Sequence, residues 1–126
     1  LSNKKVLILD EEPFVQDTLR LKLASRGLGV VVCDNEDEAK EMIQKELPDM
    51  ILIDILHSRV NSYRFIQELK GTPRTEAIPI IILTFKEKDP EMEFTYNVWA
   101  QAYLAKPFSP REVADRIIKV MAEAER

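Results

Sequence analysis

The sequence is short of the residues that most often announce chemistry. It has one cysteine, Cys33, and one histidine, His57, among 126 residues. A lone cysteine excludes an intramolecular disulfide and suits a reducing compartment. Cys33 follows an apolar run and reads as a small buried hydrophobe at a strand end. His57 has no partner ligand beside it, so metal binding or phosphoryl acceptance there is the weaker reading. No apolar run approaches bilayer length, and no signal peptide precedes the first strand-like segment, so a cytoplasmic location away from membranes is expected. Positive charge is not in excess either. The formal net charge of −4 argues against a general nucleic-acid or anionic-membrane binder. Internal repeats, low-complexity segments and an interdomain linker are all missing. What remains is 45% apolar and 32% charged, the mix of a globular chain with one core.

Five short apolar runs punctuate the chain: Val6-Leu7-Ile8-Leu9, Val30-Val31-Val32, Met50-Ile51-Leu52-Ile53, Ile80-Ile81-Ile82-Leu83 and Tyr103-Leu104-Ala105. The first four lack polar alternation, which predicts strands covered on both faces, as in a parallel sheet. The stretches between them read as helices. Pro13 to about Arg26 carries Val15, Leu19 and Leu23 on one face and stops at Gly27. Asn35 and Glu38 have capping-box spacing, followed by Ala39, Met42, Ile43 and Leu47. Tyr63, Ile66 and Leu69 align in a third helix, ended by Gly71 and Pro73. Asp89-Pro90 opens a fourth, with Met92, Tyr96 and Trp99 on one face as core or docking surface. Ser109, Pro110 and Glu112 start a fifth, whose buried stripe is Val113, Ala114, Ile117, Ile118 and Met121. Strand–helix alternation repeated five times predicts an α/β fold, with right-handed crossovers placing helices on both sheet faces.

The polar residues gather where the runs end. Asp10-Glu11-Glu12 follows the first run, Asp54 the third, Thr84 the fourth and Lys106-Pro107 the fifth. Open parallel sheets bind ligands beyond the carboxyl ends of their strands, so these groups are expected at one edge. Crowded carboxylates stay ionised together only if a cation joins them. An oxygen-only donor set suits Mg2+, which takes one or two carboxylates and a phosphate oxygen. A carboxylate beside Mg2+, a lysine and a threonine hydroxyl is a plausible phosphoryl acceptor.

The segments Leu9-Asp10-Glu11-Glu12-Pro13, Pro48 to Asp54, Ile78 to Thr84 and Tyr103-Leu104-Ala105-Lys106-Pro107-Phe108 together resemble the receiver domains of two-component response regulators. The resemblance covers the whole chain, residues 1–126, as one receiver domain. The absent initial Met and the helix-forming last residues leave open that it was excised from a longer protein. The resemblance implies a single doubly wound, flavodoxin-like parallel sheet of order 2-1-3-4-5 with five flanking helices. It implies that Asp54 accepts a phosphoryl group from a sensor histidine kinase or phosphotransfer protein. Asp10, Glu11, Asp54 and the Leu56 backbone carbonyl would hold Mg2+, Asp10 through a water. Thr84 and Lys106 would bind the phosphoryl group, and Tyr103 would be the switch aromatic. Leu56 and Lys86 would flank the approach of the hydrolytic water. The activity implied is self-phosphorylation and self-dephosphorylation, not turnover of an external substrate. The output surface would be the fourth helix, fifth strand and fifth helix, meeting an effector domain or protein and open to homodimerisation.

Departures from the family pattern fall in the loops. Glu11 stands where a second aspartate is usual, Ser58 and Ser62 replace the Pro and Gly after the acceptor, Phe85 replaces a small residue after Thr84, and Trp99-Ala100-Gln101-Ala102 replaces the turn before the last strand. They keep a second reading in play, a degenerate receiver that docks partners without phosphorylation. A flavodoxin-like flavin carrier would need a donor-rich loop after the first strand, where this chain has an acidic one. A haloacid-dehalogenase-like phosphatase would need Asp-x-Asp there, which Asp10-Glu11-Glu12 does not supply.

Overall fold

The computed structural model describes residues 3–54, 59–85, 100, 102–106 and 108–125, and at 59–63, 84, 85, 103, 105 and 106 the backbone alone. In chain order the elements are β1 (Lys5–Leu9), α1 (Pro13–Ser25), β2 (Gly29–Cys33), α2 (Glu36–Glu46), β3 (Met50–Asp54), α3 (Arg59–Lys70), β4 (Ile80–Phe85), β5 (Ala102–Lys106) and the C-terminal helix, α4 here (Pro110–Ala124). All strands pair in parallel, in the order β2-β1-β3-β4-β5. The expected fourth helix, opened by Asp89-Pro90, falls outside the described residues.

The strands alternate between two cores. Val6 and Ile8, Met50 and Leu52, and Ile81 and Leu83 point to one side, where Leu19, Leu23, Val113, Ile117 and Met121 of α1 and α4 cover them. Leu7 and Leu9, Ile51 and Ile53, and Ile80 and Ile82 point to the other, against Ala39, Ile43, Phe65, Ile66 and Leu69 of α2 and α3. This explains the missing polar alternation, since period-2 geometry sends every second residue to a face that is itself buried. β2 is the exception. As an edge strand its Val30, Val31 and Val32 are only half-buried, and Cys33 is its one fully buried residue.

The helix ends follow their sequence signals. Asn35 Oδ1 accepts from the Glu38 N–H at 2.8 Å, and Ser109 Oγ accepts from the Glu112 N–H at 3.4 Å, with Pro110 opening α4. α1 stops in a Schellman arrangement: Gly27 N–H donates to Ala24 O, Leu28 N–H donates to Leu23 O, and Gly27 takes φ +83°. Leu23 and Leu28 are both buried, the apolar contact that goes with the motif. Leu47 departs from its expected place on the buried face of α2. It terminates the helix in the left-handed region (φ 46°, ψ 68°) and stays 43% exposed. Pro48 follows, and proline disfavours the right-handed helical conformation in the residue before it.

Candidate functional site

β1 and β3 lie side by side, with Leu9 opposite Ile53, so Asp10 and Asp54 emerge at the same edge. Asp54 sits opposite Leu83, and Thr84 and Phe85 lie opposite Ala105 and Lys106. The register therefore carries the backbones of Asp54, Thr84 and Lys106 to the carboxyl ends of three adjacent strands. Tyr103 lies lower on β5, opposite Ile82. The Lys106, Thr84 and Tyr103 positions are as expected along the sheet. Leu56, Lys86 and His57 lie outside the described residues.

Asp10 is 2% exposed. Its N–H donates to Cys33 O at 3.1 Å, extending the β1–β2 ladder one residue past the strands. Its Oδ1 accepts from the Glu12 N–H at 2.9 Å, closing a local turn before α1. Glu12 is the N-cap of α1, with φ −87° and ψ 114°, and Pro13 occupies the first turn. Both Asp54 carboxylate oxygens and Asp10 Oδ2 are shielded from solvent. Among the described residues, Asp10, Glu12 and Asp54 each bring one carboxylate oxygen to within 4.8 Å of the others. The structure gathers Asp10 and Asp54 as the sequence suggested, and with them Glu12. Glu11 is exposed and is not in that group. The run Asp10-Glu11-Glu12 marks the acids, but the turn geometry decides which of them faces the edge.

Two unit charges about 5 Å apart repel by roughly 3 kcal/mol at the effective dielectric typical of protein sites. A cluster of three carboxylates therefore favours a cation. The donor set is oxygen only, with two members from a rigid sheet edge, and it fits a hard divalent ion such as Mg2+ better than a softer metal.

A doubly wound parallel sheet of this order, with acids collected at its carboxyl edge, defines an α/β domain of the receiver class. The response regulator receiver domain family matches residues 6–118, and the chain belongs to that family. It is 28% identical over 123 residues to the alkaline phosphatase synthesis transcriptional regulatory protein PhoP of Bacillus subtilis, covering 98% of this chain and 50% of the relative. It is 29% identical over 118 residues to response regulator Rre1 of Synechocystis, covering 93% of this chain and 51% of that protein. The chain thus spans about half the length of these relatives. Among solved structures, the signal receiver domain of a signal transduction histidine kinase from Syntrophus aciditrophicus superposes with a TM-score of 0.85 at 25% identity, covering 98% of this chain and 93% of that one. A receiver domain protein from Methanospirillum hungatei superposes with a TM-score of 0.86 at 22% identity, covering 98% and 97%, a likeness of fold. No helix among the described residues is long and apolar enough to cross a membrane.

Proposed function

We propose that this receiver domain is a phosphorylation switch whose acceptor is Asp54, and that residues 1–126 act as one unit in a phosphorelay. The observation that carries the reading is the convergence of Asp10, Glu12 and Asp54 carboxylate oxygens within 4.8 Å, at the edge to which the register also brings Thr84 and Lys106. Asp10, Glu12 and Asp54 are the side chains that would hold Mg2+, with the Leu56 carbonyl and Glu11 as the further ligands the family pattern suggests. Bound there, Mg2+ would neutralise charge on the phosphoryl oxygens.

The chain's own residues do the rest. An Asp54 oxygen attacks phosphorus in line, an acyl phosphate forms, and the donor's imidazole or acetate leaves with the bonding electrons. Lys106 meets the new negative charge and Thr84 donates a hydroxyl hydrogen bond to it. Phosphorylation adds about −1.5 to −2 charges at one point, and the movement of Thr84 makes room for Tyr103. The donor is a sensor histidine kinase or phosphotransfer protein. The reader of the switch is an effector domain or protein on the face formed by the expected fourth helix, which lies outside the described residues, β5 and the C-terminal helix, a face also open to homodimerisation. Leu56 has no side-chain hydrogen bond to offer an attacking water, and Lys86, were it to lie across the phosphoryl oxygens, would shield them, so slow loss of the group is expected; faster loss would mean that Lys86 stabilises the charged transition state.

Acetyl phosphate with Mg2+ should add one phosphoryl mass to the protein, and Asp54→Asn should add none. Equal labelling of the two by intact mass spectrometry removes the assignment. The substitutions at Ser58, Ser62 and Phe85 favour one other reading, a docking module that works without phosphorylation. A protein that binds partners yet never takes the label would establish it.

A further inference from the structure

Gln16 stands in the first turn of α1, its own N–H donating to Glu12 O at 3.0 Å. Its side chain turns back over the acidic loop. The amide nitrogen donates one hydrogen bond to the backbone carbonyl of Asp10 and another, at 2.6 Å, to Asp34 Oδ1 just past the end of β2. A glutamine amide nitrogen has two hydrogens, and both are used. Carbonyl and carboxylate are both acceptors, so the amide has one workable orientation: nitrogen toward both, oxygen away. Asp34 thus fixes which way Gln16 faces, and Gln16 in turn ties the β1–α1 loop to the β2–α2 loop. Asp10 is then held at every polar group of its main chain, with its N–H on Cys33 O and its C=O on Gln16, while its Oδ1 accepts from Glu12 N–H.

We infer that Gln16 is a positioning residue for the cation site, holding the Asp10 peptide so that the Asp10 and Glu12 carboxylates keep the spacing a divalent ion requires. This rests on the cation-binding reading of the acidic edge. Gln16 touches no ligand atom directly and acts through the peptide between β1 and α1. Groups that orient metal ligands from outside the first sphere change affinity by roughly tenfold or more when removed.

The test is calorimetric titration of the whole chain with Mg2+, alongside thermal unfolding in EDTA. Gln16→Met removes both donors at constant charge, and Mg2+ should bind roughly tenfold more weakly, with an unfolding midpoint in EDTA close to wild type. Gln16→Glu removes the donors but adds a negative charge. A pure field effect would tighten cation binding, whereas lost positioning weakens it, and weakening is expected. The inference falls if Gln16→Met binds Mg2+ within twofold of wild type, if Gln16→Glu binds more tightly, or if affinity merely follows a falling midpoint across the variants. Wild-type protein that binds no Mg2+ would remove the site reading itself. Wild type that binds, with a matching Gln16→Met, removes only the role of Gln16.

Discussion

At the amino edge of the sheet Glu46, Asp49 and Glu125 each meet a lysine, while at the carboxyl edge Asp10, Glu12 and Asp54 meet one another. Lys5 Nζ lies 2.7 Å from Glu46 Oε1, Lys4 Nζ lies 2.8 Å from Glu125 Oε1 and 3.8 Å from Asp49 Oδ1. The Lys5 N–H donates to Asp49 Oδ2 at 2.8 Å, and the Asp49 N–H donates to Lys5 O at 2.8 Å. The hydrogen bond from Lys5 holds the Glu46 carboxyl below the ordinary range, and Lys4 does the same to Glu125, while Glu125 raises Lys4. The amino edge distributes charge in opposite pairs and joins the strands' starting points. The carboxyl edge instead brings three carboxylates to within 4.8 Å of one another, at the strand ends where the register also places Lys106. The acids that meet Lys4 and Lys5 and the clustered acids thus lie about a strand's length apart.

The sharpest way to break the contrast is Asp54→Asn. It should abolish phosphoryl labelling by acetyl phosphate and Mg2+, read by intact mass, since it replaces the carboxylate that the acidic edge presents. Next comes the metal. Mg2+ at about 100 times its dissociation constant should stabilise the wild type by about 2.7 kcal/mol, and Asp10→Asn should lose most of that gain in denaturant titrations. A gain of similar size in both proteins would place the ion elsewhere.

A smaller effect is expected beside the amino edge, at Leu47. A non-glycine residue in the left-handed region costs roughly 1–2 kcal/mol. Relief of that strain should outweigh the greater chain freedom of glycine, so Leu47→Gly should stabilise by up to about 1 kcal/mol, read from the urea midpoint. Destabilisation would show that the half-covered Leu47 side chain contributes more than its backbone costs. The smallest effect belongs to the exposed pairs. Glu46 and Glu125 have folded pKa values below their unfolded ones, so their contribution is present above the ordinary carboxylate pKa and lost as pH falls through the folded value. Lys4 is raised, so its contribution holds below its ordinary pKa and fades at higher pH, through the raised value. Glu46→Gln should therefore flatten the acid limb of the stability curve slightly in low salt and do nothing in high salt.

Much of this architecture is legible in the residues. Asn35 with Glu38, Ser109 with Pro110, and Gly27 each state a helix boundary that local chemistry enforces, and the uniformly apolar strands state that both sheet faces are covered. The site is legible to the level of strand ends, because residue order places Asp10, Asp54, Thr84 and Lys106 after the first, third, fourth and fifth apolar runs. Beyond that, sequence pattern has no purchase. Glu11 and Glu12 are identical in chemistry and adjacent, and only the backbone at the start of α1 turns Glu12 toward Asp54. Gln16 reads as an ordinary helix residue until its amide is seen spanning two loops. Phe14 and Leu21 sit on α1 with 79% and 71% exposure, although a hydrophobic count alone would bury them. The buried stripe Leu19 and Leu23 was recoverable from its spacing, but an apolar residue outside the stripe carries no mark of its surroundings.

The buried end of β2 has a practical consequence. Cys33 is fully covered, and burial, with Glu38 and Asp34 nearby, pushes its thiol up to about 11. At neutral pH almost none of it is thiolate, the form that attacks maleimides and iodoacetamides. A cysteine introduced on the exposed side of α1, at Ala24 for example, should thus be the sole site of dye attachment in the folded protein, with no need to remove the native one. Distance changes between such a dye and a second probe could then be followed in the otherwise unaltered sequence as phosphate and metal come and go.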